Sequence, residues 1–123
     1  MPDQQQTVPI AFLEHFFDVW NQHDLDAILD ALEPDCLYLT SAGARLEGHD
    51  EIREGLATFL RTYPDAHWRD AVHFVSGDRG ASEWIFTATG PDGTPVEVDS
   101  CDIFTFRNGR MARVSAFARP RRT

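Results

Sequence analysis

The stretch Val96-Glu97-Val98-Asp99-Ser100-Cys101-Asp102-Ile103-Phe104-Thr105-Phe106 decides the fold, and Arg107-Asn108-Gly109 follows it directly. The stretch reads as the clearest strand in the chain. Asn-Gly is the strongest short-range hairpin signal, because both residues tolerate the positive φ that a two-residue turn demands. A returning strand must follow, and Met111–Ala118 supplies it. Upstream, Pro91-Asp92-Gly93 is a turn, Ala81–Thr89 is strand-like, Gly77-Asp78-Arg79-Gly80 is another turn, and Ala66–Val75 alternates. The second half is therefore a meander of strands.

The first half has a different period. Residues 1–7 read as a flexible tail ending at Thr7, a cap for a first helix with Pro9 tolerated in its first turn. Ile10, Leu13, Phe16, Phe17 and Trp20 recur at helical spacing. Asn21-Gln22-His23 interrupts, and Asp24 caps a shorter helix carrying Leu25, Ile28, Leu29 and Leu32, which Pro34 ends. Cys36–Thr40 reads as a strand, Ser41-Ala42-Gly43 as a turn and Arg45–Gly48 as a short return. Asp50 caps a third helix with the stripe Ile52, Leu56, Phe59, Leu60 and Tyr63, closed by Pro64. Helices followed by a strand meander predict an α+β domain, with three helices against one face of an antiparallel sheet.

With 123 residues the chain fits one domain and can bury a core without metal or disulfide support. Twenty acidic against 11 basic residues give a net charge of -9, which argues against nucleic acid or an anionic membrane as partner. The basic cluster Arg119, Arg121 and Arg122 reads as a solvated C-terminal tail, residues 119–123. Cys36 and Cys101 suggest no disulfide framework, though a single bridge stays open. With no signal peptide or spanning run, a cytoplasmic location is expected.

Parity on the deciding strand exposes one residue in unusual company. Val96, Val98, Ser100, Asp102, Phe104 and Phe106 share a face, which is the core-like one, and Asp102 sits in its middle. A carboxyl on an apolar face is costly unless paired, hydrogen-bonded or neutral, and burial raises its pKa. Such a group can donate a hydrogen bond to a substrate oxygen or shuttle a proton. It can equally be structural, bonded to a backbone amide, Tyr38 or an arginine. On the neighbouring strand, Ala81, Glu83, Ile85, Thr87 and Thr89 alternate with Ser82, Trp84, Phe86 and Ala88. Both sets are mixed, so the inward face is undecided. If Glu83 faces Asp102, the two form a carboxylate pair; otherwise it is a solvated glutamate.

Other chemistry is not signalled. The histidines 15, 23, 49, 67 and 73 lack metal-ligand spacing, and there is neither a Gly-rich phosphate loop nor a G-x-S-x-G elbow. Trp20, Trp68 and Trp84 read as core and interface residues. If the Asp102 face is concave, Trp84 and Phe86 can fall on the convex one, where an exposed aromatic patch would suggest a partner.

Three stretches carry a resemblance: Phe17–Ala27, Leu46–Arg53 and above all Val96–Arg110. Together they resemble the SnoaL-like branch of the nuclear transport factor 2-like superfamily, which includes ketosteroid isomerases, polyketide cyclases, limonene epoxide hydrolases and scytalone dehydratases. The resemblance spans about residues 8–118. It implies a cone-shaped α+β barrel, with a pocket between the helices and the concave side of a curved antiparallel sheet, and a homodimer through the sheet face. It also implies that Asp102 matches an oxyanion-hole or acid/base aspartate. Phe16 stands where the isomerases carry a tyrosine, and Thr40 where they carry an aspartate base, so the standard isomerase mechanism does not transfer. The arginine between two aspartates of the epoxide hydrolases is not visible, and His73 has no clear match to the dehydratases' paired histidines.

The expected function is general acid/base chemistry (isomerisation, cyclisation, dehydration or hydrolysis) on a small hydrophobic carbonyl compound or epoxide, without a cofactor. Asp102 and Glu83 are the candidate catalytic residues. Phe16, Trp20, Tyr38, Thr40, Leu56, Phe59, Thr87 and Phe104 are the candidate substrate-binding residues. The alternative is a non-catalytic binding module or a dimeric interaction domain on the same fold.

Overall fold

Asn108 and Gly109 hold φ values of 57° and 75°, the two left-handed residues that a tight hairpin turn requires. They join β5 (Pro95–Arg107) to β6 (Arg110–Pro120) in the computed structural model, which describes residues 8–121. The expected tail 1–7 with its Thr7 cap, and residues 122 and 123, lie outside the described residues. The other elements are α1 (Ile10–Asn21), α2 (Leu25–Asp30), β1 (Leu32–Leu39), β2 (Arg45–Glu47), α3 (Gly48–Thr62), β3 (His67–Ser76) and β4 (Arg79–Thr89). Three helices pack on a curved six-stranded sheet of order β2-β1-β6-β5-β4-β3.

The sheet is mixed, which corrects the all-antiparallel expectation. β1 lies parallel to β6, and only the remaining pairs are antiparallel. This pairing joins segments far apart in sequence, so no local turn announces it. β1 also begins at Leu32, earlier than expected, and Pro34 sits within it where the register with β6 breaks between Leu32 and Leu37. A proline is tolerated there because it has no N–H to give to a regular ladder.

Helix α1 buries Leu13, Phe16, Phe17, Val19 and Trp20, whereas Ile10 at its start is exposed. Asn21 fixes the helix end to β3: its side-chain amide donates to the Trp68 carbonyl at 2.9 Å, and its carbonyl accepts from the Trp68 N–H at 2.8 Å. Asp24 caps α2 by accepting from Ala27 N–H at 3.1 Å. Asp50 is not the α3 cap. The helix starts earlier, at Gly48, and Glu51 reaches back to accept from Glu47 N–H at 2.8 Å, leaving Asp50 in the first turn. At the far end of the sheet, Arg107 grips buried Glu33 at 3.0 Å and Asp35 at 2.6 Å, locking the β5–β6 hairpin to β1.

Strand β6 runs through Arg119 and Pro120, and Arg121 donates to Asp99 at 2.7 Å. Both cysteines are free, and burial pushes the Cys36 thiol up to about 12, so it is no nucleophile at neutral pH. Among the described residues no helix is long and apolar enough to cross a membrane.

Candidate active site

Register assigns the two faces of the sheet. Directly opposed residues share a face. Asp102 stands opposite Ser82 on β4 and Ala116 on β6; Ser100 opposite Trp84 and Ala118; Val98 opposite Phe86. The helices cover this face. Between them lies a cavity of about 570 Å³. Its sheet side is made by Trp68, Trp84, Phe86, Val96, Val98, Ser100, Asp102 and Ala116; its helix side by Phe17, Trp20, Leu56, Phe59 and Tyr63. Tyr38, Thr40 and the Ser41–Ala44 turn bound the end near β1. The walls are an aromatic network: Trp20 meets Trp68 with ring centroids 5.1 Å apart, and Phe59 meets Phe86 at 5.6 Å.

Of the expected site residues, the structure brings Trp20, Tyr38, Thr40, Leu56, Phe59 and Asp102 to this cavity. Four others lie elsewhere. Glu83 is exposed and pairs across the ladder with Cys101, and Thr87 pairs with Glu97; both occupy the outer face, so there is no carboxylate pair. Phe16 and Phe104 are fully buried but pack on one another edge to face, at 6.2 Å, in the core behind the cavity. Trp84 and Phe86, for which the convex side was the conditional alternative, line the cavity. Thr40 spends its hydroxyl oxygen on the turn, accepting from Ala44 N–H at 3.0 Å, and keeps its proton to donate.

The electrostatics single out Asp102. It is 5% exposed, and among the described residues no protein group hydrogen-bonds its carboxyl. Burial pushes its pKa up to about 8. With no opposing cation, desolvation alone acts, and it favours the neutral acid. Tyr38 lies close enough that the same carboxyl, ionised, adds to burial in holding the phenol well above its ordinary value. Trp84 contributes a further donor: its buried indole N–H has no partner among the described residues. The site therefore offers hydrogen-bond donors inside an apolar shell, the complement of a hydrophobic molecule bearing oxygen acceptors.

Sequence reasoning missed Ser82, which is completely buried opposite Asp102, and found no clear match for His73. Their Oγ and Nδ1 are 2.7 Å apart. The available signal was the Gly77-Asp78 turn: a two-residue loop there fixes His73 opposite Ser82. Among the described residues no three His, Cys, Asp or Glu side chains gather as for a metal ion.

The model of a family described as SnoaL-like domain matches residues 13–114. No curated protein matches the chain in sequence. Among solved structures, a protein from Xanthomonas campestris provisionally named a polyketide cyclase superposes with a TM-score of 0.82 at 21% identity, over 88% of this chain and 87% of that one. A Catenulispora acidiphila protein with a ketosteroid isomerase-like fold, in complex with trimethylamine, gives 0.80 at 17% identity, over 90% and 86%. TerC, co-crystallised with polyporic acid, gives 0.78 at 21% identity, over 88% of each chain. At these identities the likeness is one of fold.

Proposed function

This chain belongs to the SnoaL-like domain family, and on that footing we propose that it is an enzyme performing general acid/base chemistry on a small hydrophobic carbonyl or epoxide compound. The classes open to it are isomerisation, cyclisation, dehydration and hydrolysis. One observation carries the reading: Asp102 is a buried carboxyl without a hydrogen-bond partner among the described residues, pushed up to about 8, on the wall of an apolar cavity. Such a group is largely protonated at neutral pH. It can give its proton to a carbonyl or epoxide oxygen and, titrating near neutrality, can take one back. Tyr38 supplies a second donor, and the aromatic walls exclude water and hold a flat apolar body. The cyclase name of one structural neighbour and the polyporic acid co-crystallised with TerC favour a small organic substrate over a macromolecular one.

Asp102→Asn tests this on a panel of aromatic ketones and epoxides. Turnover falls by about 10²- to 10⁴-fold, the range for a lost acid/base group. Ligand binding, read by quenching of Trp20, Trp68 and Trp84, persists. Unchanged turnover overturns the role. A panel that wild type binds without converting favours the second reading, a binding module in which Asp102 orients the ligand.

We further propose that the outer sheet face meets a second copy of the chain. Val72 and Phe74 are 48% and 54% exposed on this face, and Ala81 and Ile103 continue the Phe74 row in register. Glu83 flanks the apolar row on one side and Arg113 on the other. A two-fold operation can bring each to the other's opposite number, which is the self-complementarity an isologous contact needs.

A further inference from the structure

Depth in the cavity follows β5. Phe104 is completely buried and Asp102 nearly so, whereas Ser100, Val98 and Val96, the next inward residues, are half-buried. The cavity is therefore closed beyond Asp102 and opens toward Val96. Two polar side chains stand on this axis: Asp102 at the closed end, and Ser100 two residues nearer the opening, about 6–7 Å away along the strand. Outward of Ser100 the sheet wall is apolar, made by Val98, Val96 and Phe86.

The Ser100 hydroxyl serves nothing in the fold. Among the described residues no protein group hydrogen-bonds it, while Ser82 Oγ lies 2.7 Å from His73 Nδ1 and Thr40 Oγ accepts from Ala44 N–H. A hydroxyl without a protein partner adds nothing to stability, and a half-buried strand position favours a β-branched side chain such as the nearby valines. Opposite Ser100 stand Trp84 on β4 and Ala118 on β6, and Ala116 stands opposite Asp102. An indole on one side and two alanines on the other leave a slot over both polar groups that suits a flat ring. Among the described residues no lysine, arginine or histidine lines the cavity, so an ionised carboxylate or phosphate would be buried there without a counter-charge.

We propose that Ser100 binds a second oxygen of the substrate, and that the substrate is a neutral aromatic ketone carrying a hydroxyl across the ring from its carbonyl. The inference rests on the acid/base reading of Asp102 and deepens it. Orientation follows from donors and acceptors. A protonated Asp102 and the Tyr38 phenol donate, and a carbonyl oxygen only accepts, so the carbonyl takes the closed end. The serine hydroxyl both donates and accepts, so it meets a ligand hydroxyl in either sense. A para arrangement separates the two oxygens by about the span of two strand residues. A meta arrangement turns the hydroxyl off the strand axis.

The test compares binding of acetophenone, para-hydroxyacetophenone and meta-hydroxyacetophenone to wild type and Ser100→Ala, read by tryptophan quenching. The affinity of the para-hydroxy ketone relative to its parent should fall about 3- to 10-fold on Ser100→Ala, because only that ligand loses a hydrogen bond. Acetophenone and the meta isomer should bind both proteins alike. A serine with a merely structural role would weaken all three ligands together. An unchanged ratio, an equal loss for the meta isomer, or no binding of the para-hydroxy ketone to wild type overturns the proposal. If Ser100→Ala does not fold, Ser100→Cys, close in shape and a poor hydrogen-bonding group, makes the same comparison. Turnover of Asp102→Asn separates the two failures. A ratio that falls while Asp102→Asn turns over normally keeps the Ser100 subsite and removes the acid. A fixed ratio with turnover lost removes the subsite alone.

Discussion

Tyr38 on β1 and Asp102 on β5 belong to one electrostatic unit: the ionised carboxyl of Asp102 is second only to burial in raising the Tyr38 phenol. Both groups line the cavity and both stay protonated at neutral pH, so two O–H donors stand ready for one oxygen acceptor. Removing the phenol hydroxyl leaves the ring's packing in place. Tyr38→Phe is expected to keep the fold and to weaken binding of a phenolic or ketone probe about 10-fold, the worth of one hydrogen bond. Tryptophan quenching reads the change. Equal affinity in the two proteins would show that the phenol does not meet the ligand.

Burial of Asp102 also links folding to pH. Its pKa moves from an ordinary 3.8 to about 8. Between those values the folded protein holds a proton that the unfolded chain has released. Stability attributable to this group therefore falls as pH rises through the window, by at most about 1.4 kcal/mol per pH unit, and levels off above it. Asp102→Asn carries no such proton. Urea unfolding of both proteins at pH 5 and pH 8 should show the variant gaining on wild type at the higher pH. A difference that does not change with pH would mean the carboxyl is solvated or paired.

The sequence showed some of this and hid the rest for definite reasons. On β5 the inward parity class is apolar but for Ser100 and Asp102, so the one charged side chain stood out. On β4 both classes are mixed, and only the register could choose between them. That register depends on the loop from Gly90 to Thr94, which sets Thr89 opposite Pro95 and hence Ser82 opposite Asp102. A slip of one residue would have turned Glu83 inward. Turn residues marked the loop, but not where its ladder closes. Phe16 and Phe104 were identifiable as buried, but whether a buried ring meets a cavity or another ring depends on the helix that covers it. The parallel β1–β6 pair has no local signal at all.

The outward position of Glu83 gives a direct contrast with Asp102. Its side chain is exposed, and it faces Cys101 and Val72 across the ladder rather than the cavity. Glu83→Gln should change stability by no more than about 0.5 kcal/mol, as surface substitutions usually do. Turnover of any substrate found for wild type should stay within about twofold. A loss comparable to that of Asp102→Asn would restore a carboxylate pair and contradict the register of β4 with β5.

Phe74 provides the test of the outer face. It is 54% exposed, and its neighbours across the ladder and along the strand, Ala81, Ile103 and Val72, are apolar as well. Single exposed apolar side chains are ordinary, but a contiguous group of them on a sheet marks a contact surface. In a two-fold dimer a charge placed at Phe74 is desolvated twice, once in each copy. Phe74→Glu should therefore weaken self-association by roughly 2–4 kcal/mol, about 30- to 1,000-fold in Kd. The cavity lies on the opposite side of the sheet, so tryptophan quenching by a bound probe should be retained. Light scattering after size exclusion at micromolar concentration reads the mass: two chains for wild type and one for Phe74→Glu. A wild type that elutes with the mass of a single chain would end the proposal, and a Phe74→Glu variant that remains two chains would move the contact off this face.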